Sequence, residues 1–453
     1  MTHNTRGKCF TAAILFFLPV CAGAQTISLE QVRGLALANS RSLAKYNLQI
    51  QSNALDVKSQ RFSNLPSLSL GADASMRALN DDWSPIEKPL DTSAVGVNLG
   101  ASITYNIFEG GKTIVQKALN TITSEITKKD ALAEFFNVLD SADNAYYAAL
   151  EAAASLESEE LALQTAQTSL SMAEIRQAGG MINQGDYLKA LAEKESREAA
   201  RNQARRNLAL SAAKLKAITG LGELPALEPI DFDGYENLIQ YLGGISDEAA
   251  AVLYGEFWKL LAASNPSLIK AGLNSRRAEQ NLTRAKWDYA PTLSASVSPT
   301  GLSYSSDKGL GTTVGSFSIN GRIPLDFWVM ANNVEKSKIA LESAALDYVS
   351  QESALEIELQ SALLNTIAQA GTVLSAGRSL QYAEKHFEYV MERYRLSQAS
   401  VSGLLDATAL AGNSRNQLIK SRYGFLQSLS KLRSLGAIDD ESILMHILMG
   451  AAQ

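Results

Sequence analysis

The sequence predicts a mainly α-helical chain built as two tandem repeats. Each repeat is a helix, a β-hairpin, a long helix and a closing helix, and the chain gives four strands to a β-barrel. Three observations carry this. Four stretches alternate apolar and polar residues with a period of two, and two spans of more than 60 residues carry apolar side chains at helical spacing. The second half repeats the first at a fixed offset.

The chain has 453 residues, 46% hydrophobic and 19% charged, with a formal net charge of -6. That composition suits a folded protein and offers no basic surface for nucleic acid. Arg6 and Lys8 precede an apolar run from Phe10 to Leu18, and Ala22-Gly23-Ala24 supplies a cleavage pattern, so residues 1–24 read as a removed signal segment. Both cysteines, Cys9 and Cys21, fall inside it, leaving a mature chain without thiols. Cys21 as an acylated lipoprotein cysteine is the alternative, for which Pro19 and Val20 are poor preceding residues. No later stretch reaches the roughly 20 apolar residues of a spanning helix, so a membrane crossing would have to use strands.

In the first repeat (25–220), residues 28–62 read as one helix, ended by Pro66. Leu68, Leu70, Ala72, Ala74 and Met76 then alternate with Ser67, Ser69, Gly71, Asp73 and Ser75, giving a strand over 67–76. A polar loop leads to the clearest strand, 95–108. There Val95, Val97, Leu99, Ala101, Ile103, Tyr105 and Ile107 alternate with glycine and polar residues. After Gly110-Gly111 the period changes. Leu132, Phe135, Leu139, Ala142, Tyr146, Ala149, Ala153 and Leu156, with Leu163 and Leu170 in phase, mark a coiled-coil seam on a helix over 112–178. Such a helix is on the order of 100 Å long and must pack along its length. Gly179-Gly180 breaks it, and a helix over 186–219 closes at Gly220.

Residues 221–250 read as a linker with short helical pieces. The second repeat (251–436) is recognised by Leu65-Pro66-Ser67-Leu68 returning as Ala290-Pro291-Thr292-Leu293, 225 positions later. It predicts helices over 251–288, 330–396 and 403–435 and strands over 292–300 and 314–325, with Gly436 closing the last helix as Gly220 closes its counterpart. The acidic run Asp439-Asp440-Glu441 reads as solvated, in a tail of 437–453.

Four strands cannot close a barrel, for which about eight is the practical minimum, and an open edge in lipid leaves backbone groups unpaired. Several copies must share one barrel: two give eight strands with a filled interior, three give twelve with a lumen. Two shorter helices end to end match one long helix, so a ring of them would continue the barrel as a tube.

At this point the chain resembles the TolC-like outer membrane efflux protein family, over almost the whole mature sequence. The duplicated Pro junctions carry the resemblance, with Tyr105-Asn106-Ile107-Phe108-Glu109-Gly110-Gly111 and Val401-Ser402-Gly403-Leu404-Leu405-Asp406-Ala407-Thr408. It implies a homotrimer in outer-membrane lipid whose helical tunnel crosses the periplasm. It further implies docking on an inner-membrane transporter through a periplasmic adaptor protein, and export of small molecules or proteins. By motif position it implies a periplasmic gate containing Asp186, Tyr394 and Asp406, while Gly403 and Ala399 stand where the family has an aspartate and an arginine. Each has a plainer reading. Asp186, beside Gly185, would cap a helix N-terminus, worth about 0.5–2 kcal/mol, and Tyr394 would be packing on an amphipathic helix. Asp406, one turn into its helix, fits capping less well.

Enzyme readings are thin. His3, His386 and His446 are too scattered for a metal site, no cofactor motif is present, and Gly309-Leu310-Gly311 reads as a turn. The competing reading is a soluble periplasmic coiled-coil scaffold or adaptor. It accounts for the long helices but not for the strict alternation of all four strands.

Overall fold

The computed structural model describes residues 26–63, 65–77, 94–305, 309–396 and 398–450. The expected signal segment, 1–24, lies outside the described residues. The elements run α1 (Leu29–Asn39), α2 (Arg41–Phe62), β1 (Ser67–Arg77), β2 (Ala94–Glu109), α3 (Lys112–Ala178), α4 (Gln184–Thr219), α5 (Asp233–Gly243), α6 (Asp247–Ser264) and α7 (Pro266–Trp287). They continue through β3 (Thr292–Ser298), β4 (Leu302–Ser305), β5 (Gly309–Thr312), β6 (Ser316–Arg322), α8 (Phe327–Arg395), α9 (Val401–Gly436) and α10 (Glu441–Gly450).

Two helices expected as single pieces are broken. The first breaks at Ser40, whose hydroxyl accepts from the Leu43 N–H and restarts the chain as α2. The second breaks at Asn265, whose side chain accepts from Ser267 and Leu268 N–H, with Pro266 at the first position of α7. The caps lie 225 positions apart, at the same point of the two repeats. Capping side chains satisfy N–H groups that a helix start leaves free, so an extended residue costs little there.

All strands belong to one antiparallel sheet. β1 pairs with β2 from Ser67↔Thr104 to Arg77↔Ala94. On its other side β2 pairs with β3 and then β4, with a register irregularity at Asn106/Phe108. β3 with β6 and β4 with β5 share one register, so 292–305 and 309–322 form a single interrupted hairpin. The four expected strands are present, the second pair longer on the loop side. The Gly309-Leu310-Gly311 segment, expected as a turn, is strand from the left-handed Gly309 onward. Pro299 cannot donate to a ladder, and the interruption it causes is clasped by Thr313, whose N–H donates to the Gly301 carbonyl and whose Oγ1 accepts from Gly301 N–H, both 2.9 Å.

The long helices form antiparallel pairs, α3 with α4 and α8 with α9. Leu139, Ala142, Tyr146 and Ala149 are buried as the seam predicts, but beyond residue 160 the buried set is Ala162, Ala166, Ser169 and Ala173, one position off the Leu163 and Leu170 phase. The small side chains there let α4 and α9 approach α3 closely. On α8, Leu355, Leu359, Leu363 and Ala370 are buried as expected. The main core lies at mid-length, where Leu238 and Leu242 of α5 and Leu253, Phe257 and Leu261 of α6 are fully buried. The 221–250 linker thus packs as structure. Residue 27 joins it through a parallel bridge to Leu227, and the Tyr146 hydroxyl donates to the Glu228 carbonyl at 2.6 Å. Burial pushes the Tyr146 phenol up to about 12.

The tail is also structured, which corrects the solvated reading. α10 folds back with Leu444 and Leu448 buried, and Glu441 accepts from the Tyr235 hydroxyl at 2.7 Å. Of the acidic run, Asp439 and Asp440 stay exposed. The C-terminal residue matching Gly220 is Ala437, both left-handed, rather than Gly436.

Candidate functional site

The sheet separates two surfaces. Across the strands one face carries Leu68 and Leu70, then Val97, Leu99 and Ile103, then Val297, Leu302 and Tyr304, then Leu310, Phe317 and Ile319, all in register. Leu70 is 84% exposed and Phe317 67%, so nothing among the described residues covers this face. The other face is a ladder of small polar groups. Ser69 and Ser102 hydroxyls meet at 2.7 Å, Ser296 and Ser318 at 2.7 Å, and Asn98 donates to Asp73 at 3.0 Å. At the junction with the helices, Trp287, Tyr289, Phe327 and Trp328 are exposed, an aromatic rim under the apolar band. No helix among the described residues is long and apolar enough to cross a membrane.

At the far end, α4 and α9 start on matching turns 217 positions apart. Asn183 accepts from the Asp186 N–H at 2.8 Å, and Ser400 from the Gly403 N–H at 3.0 Å. Asn183, not Asp186, is therefore the cap. Asp186 is the third helical residue, its carboxylate accepting from Asn183 Nδ2 at 3.1 Å with Lys189 at 3.7 Å. Tyr394 is buried with Ala173, Ala190, Val401 and Leu404 in a small core at this tip. The Arg176 guanidinium lies over its ring, 3.9 Å from the centroid, and donates to the Tyr394 carbonyl. Its hydroxyl has no partner among the described residues. Burial raises the phenol above its ordinary value; Arg176 opposes this and the Asp186 charge adds to it. Asp186 and Tyr394 are thus electrostatic neighbours. Asp406 is exposed and is in no hydrogen bond or ion pair with either among the described residues. Ala399 packs against the small core, and Arg393 beside it donates to the Gln398 carbonyl at 3.3 Å.

The residues that sequence reasoning missed lie at the main core. Asp143, fully buried, accepts from Arg33 Nε at 2.6 Å and from Arg433 at 2.7 Å, and Ser430 donates to it at 3.0 Å. Arg33 comes from α1 and Arg433 from α9, so one carboxylate joins three elements. Glu441 of α10 lies 3.9 Å from Arg33. The signal was present: Asp143 sits beside Ala142 on a face required to be buried, and a carboxylate there implies a cationic partner.

A sheet with one predominantly apolar exposed face, mounted on antiparallel helices of about 100 Å, is the subunit of a β-barrel membrane channel with a helical extension. The family model described as "Outer membrane efflux protein" matches residues 32–221 and 258–437, and the chain belongs to that family. It is an outer-membrane efflux channel. It is 22% identical to outer membrane protein TolC of Escherichia coli (strain K12) over 454 residues, covering 91% of this chain and 86% of that protein. Among solved structures, CusC superposes with a TM-score of 0.73 at 18% identity, covering 90% of this chain and 91% of CusC. The Campylobacter jejuni CmeC outer membrane channel superposes with a TM-score of 0.72 at 17% identity, covering 93% of this chain and 89% of CmeC.

Proposed function

We propose that three copies of the chain close one twelve-stranded barrel in the outer membrane and continue it as a helical tube through the periplasm, a passive conduit for cargo delivered by an inner-membrane transporter through an adaptor protein. The observation that carries this is the sheet: among the described residues its apolar face is bare, and β1 on one side and β5 and β6 on the other are free edges. In lipid each unpaired backbone group costs several kcal/mol, so the edges must find partners, and identical edges on identical chains supply them. Residues 1–24 would be the leader that directs the chain to export. Membrane fractionation tests the assembly. The protein should be extracted from outer membranes by detergent as a trimer, and release as a soluble periplasmic monomer would overturn it in favour of the scaffold reading.

The tip is the gate in this reading. Asp406 is exposed in the second turn of α9 with no ion pair among the described residues, Asp186 is partly exposed, and Tyr394 holds Arg176 between the helix pairs. Three copies of each carboxylate around a narrow opening would attract cations and repel anions. In planar bilayers, Asp186→Ala and Asp406→Ala should each lower cation preference; unchanged conductance and selectivity in both would remove them from the gate.

A further inference from the structure

The internal repeat specifies where the next copy meets this one. α2 and α7 are both 22 residues long and 225 positions apart, while the α4 and α9 caps are 217 apart. α3 is packed by α2 and α4 of its own repeat and by α7 and α9 of the other. α8 is packed by α7 and α9, and at mid-length by α5 and α6, but has no comparable packing on α2 or α4. The part of α8 that corresponds to the α2 and α4 side of the between-repeat seam is therefore uncovered among the described residues. Along it Ile339, Leu346, Ile357 and Leu364 recur at spacings of 7 and 11, all exposed. Leu364 is 52% exposed where its equivalent Tyr147 is buried, and Leu48 on α2 is 65% exposed where its equivalent Leu273 is buried.

One polar contact of the between-repeat seam translates intact. Lys270 on α7 pairs with Asp130 on α3 at 2.7 Å. Moving Asp130 forward by 217 gives Asp347, and moving Lys270 back by 225 gives Lys45, so both charges return at the equivalent places. Both are exposed, and neither forms an ion pair among the described residues. The neighbouring bridge, Arg284 to Gln116, translates to Ser59 and Asn333, which carry no charge.

We propose that α8 of one copy packs against α2 and α4 of the next, burying the Leu364 stripe and Leu48, and that Asp347 pairs with Lys45 of the next copy. The proposal rests on the shared-barrel reading and names its contact. A zero-length carbodiimide, which joins an amine to a carboxylate only when they touch, tests it on the detergent-extracted protein. The Lys270–Asp130 cross-link should appear within single chains, and the Lys45–Asp347 cross-link only in bands of two or three chains. Lys45→Gln or Asp347→Asn should reduce the second at least tenfold and leave the first unchanged. A trimer that yields the first cross-link without the second overturns the pairing and leaves the barrel reading standing; a monomer overturns both. Lys45→Asp and Asp347→Lys should each lower the temperature of trimer dissociation, and the two together should restore it. Additive losses would overturn the pair.

Discussion

Asp143 and Gln360 hold the same place on the two long helices, 217 positions apart, in opposite surroundings. Asp143 is fully buried between Arg33 and Arg433, whereas Gln360 is exposed. The repeats share backbone and caps, so the contrast comes from what covers each helix: α1 and α9 lie over α3, whereas α8 is packed by α5 and α6 and has no comparable packing on α4, the counterpart of α9, among the described residues. Desolvating a carboxylate costs several kcal/mol unless cations offset it, so the seam inside the chain is fastened by a paired charge while the equivalent seam carries a neutral amide. The tips repeat the lesson. Asn183 and Ser400 preserve the cap, and the third residue is Asp186 in one turn and Gly403 in the other. Duplication retained what the backbone needs and varied what the neighbours ask for.

The largest break of this comparison should come from Asp143→Ala. It strands two guanidiniums in the core and should cost about 3–5 kcal/mol, against less than about 0.5 kcal/mol for Gln360→Ala, read from thermal unfolding in detergent. Next are the sheet faces, where the repeats should behave alike. Ile103→Arg and Ile319→Arg on the apolar face should each lose about 2–4 kcal/mol and fail to assemble in the membrane, whereas Ser102→Arg should fold and alter conductance. Asn183→Ala and Ser400→Ala should each cost about 1 kcal/mol of local stability, equal at the two turns by hydrogen exchange of the α4 and α9 amides.

The smallest effect concerns Asp140, beside Asp143 and bonded to Ser430 at 2.9 Å. Burial holds its carboxyl above the ordinary 3.8, with Ser430 opposing. The folded state therefore favours the proton, and stability from this group is present below 3.8 and lost as pH rises through the folded value. Asp140→Asn should remove that decline, so its melting temperature should exceed the parent's at neutral pH and the difference should vanish in acid.

The sequence by itself determined the periodic features. Strand alternation, the 225-residue repeat and the ends of the long helices are local consequences of side-chain period and of the glycines and caps that stop a helix. The apolar face of β2 was legible residue by residue; the two breaks ahead of Asp186 and Gly403 were legible as breaks, but their caps, Asn183 and Ser400, were not. The breaks at Ser40 and Asn265 were written as capping residues but lay inside apolar patterns that continue across them. Tertiary structure alone decided the rest. Asp143 meets Arg33 and Arg433 from 110 and 290 positions away, Glu441 reaches Tyr235 across the core, and Tyr394 packs under Arg176 in the small core at the tip. A local pattern states which face must be covered. Which residue does the covering depends on how distant elements are brought together, and no short-range period records that.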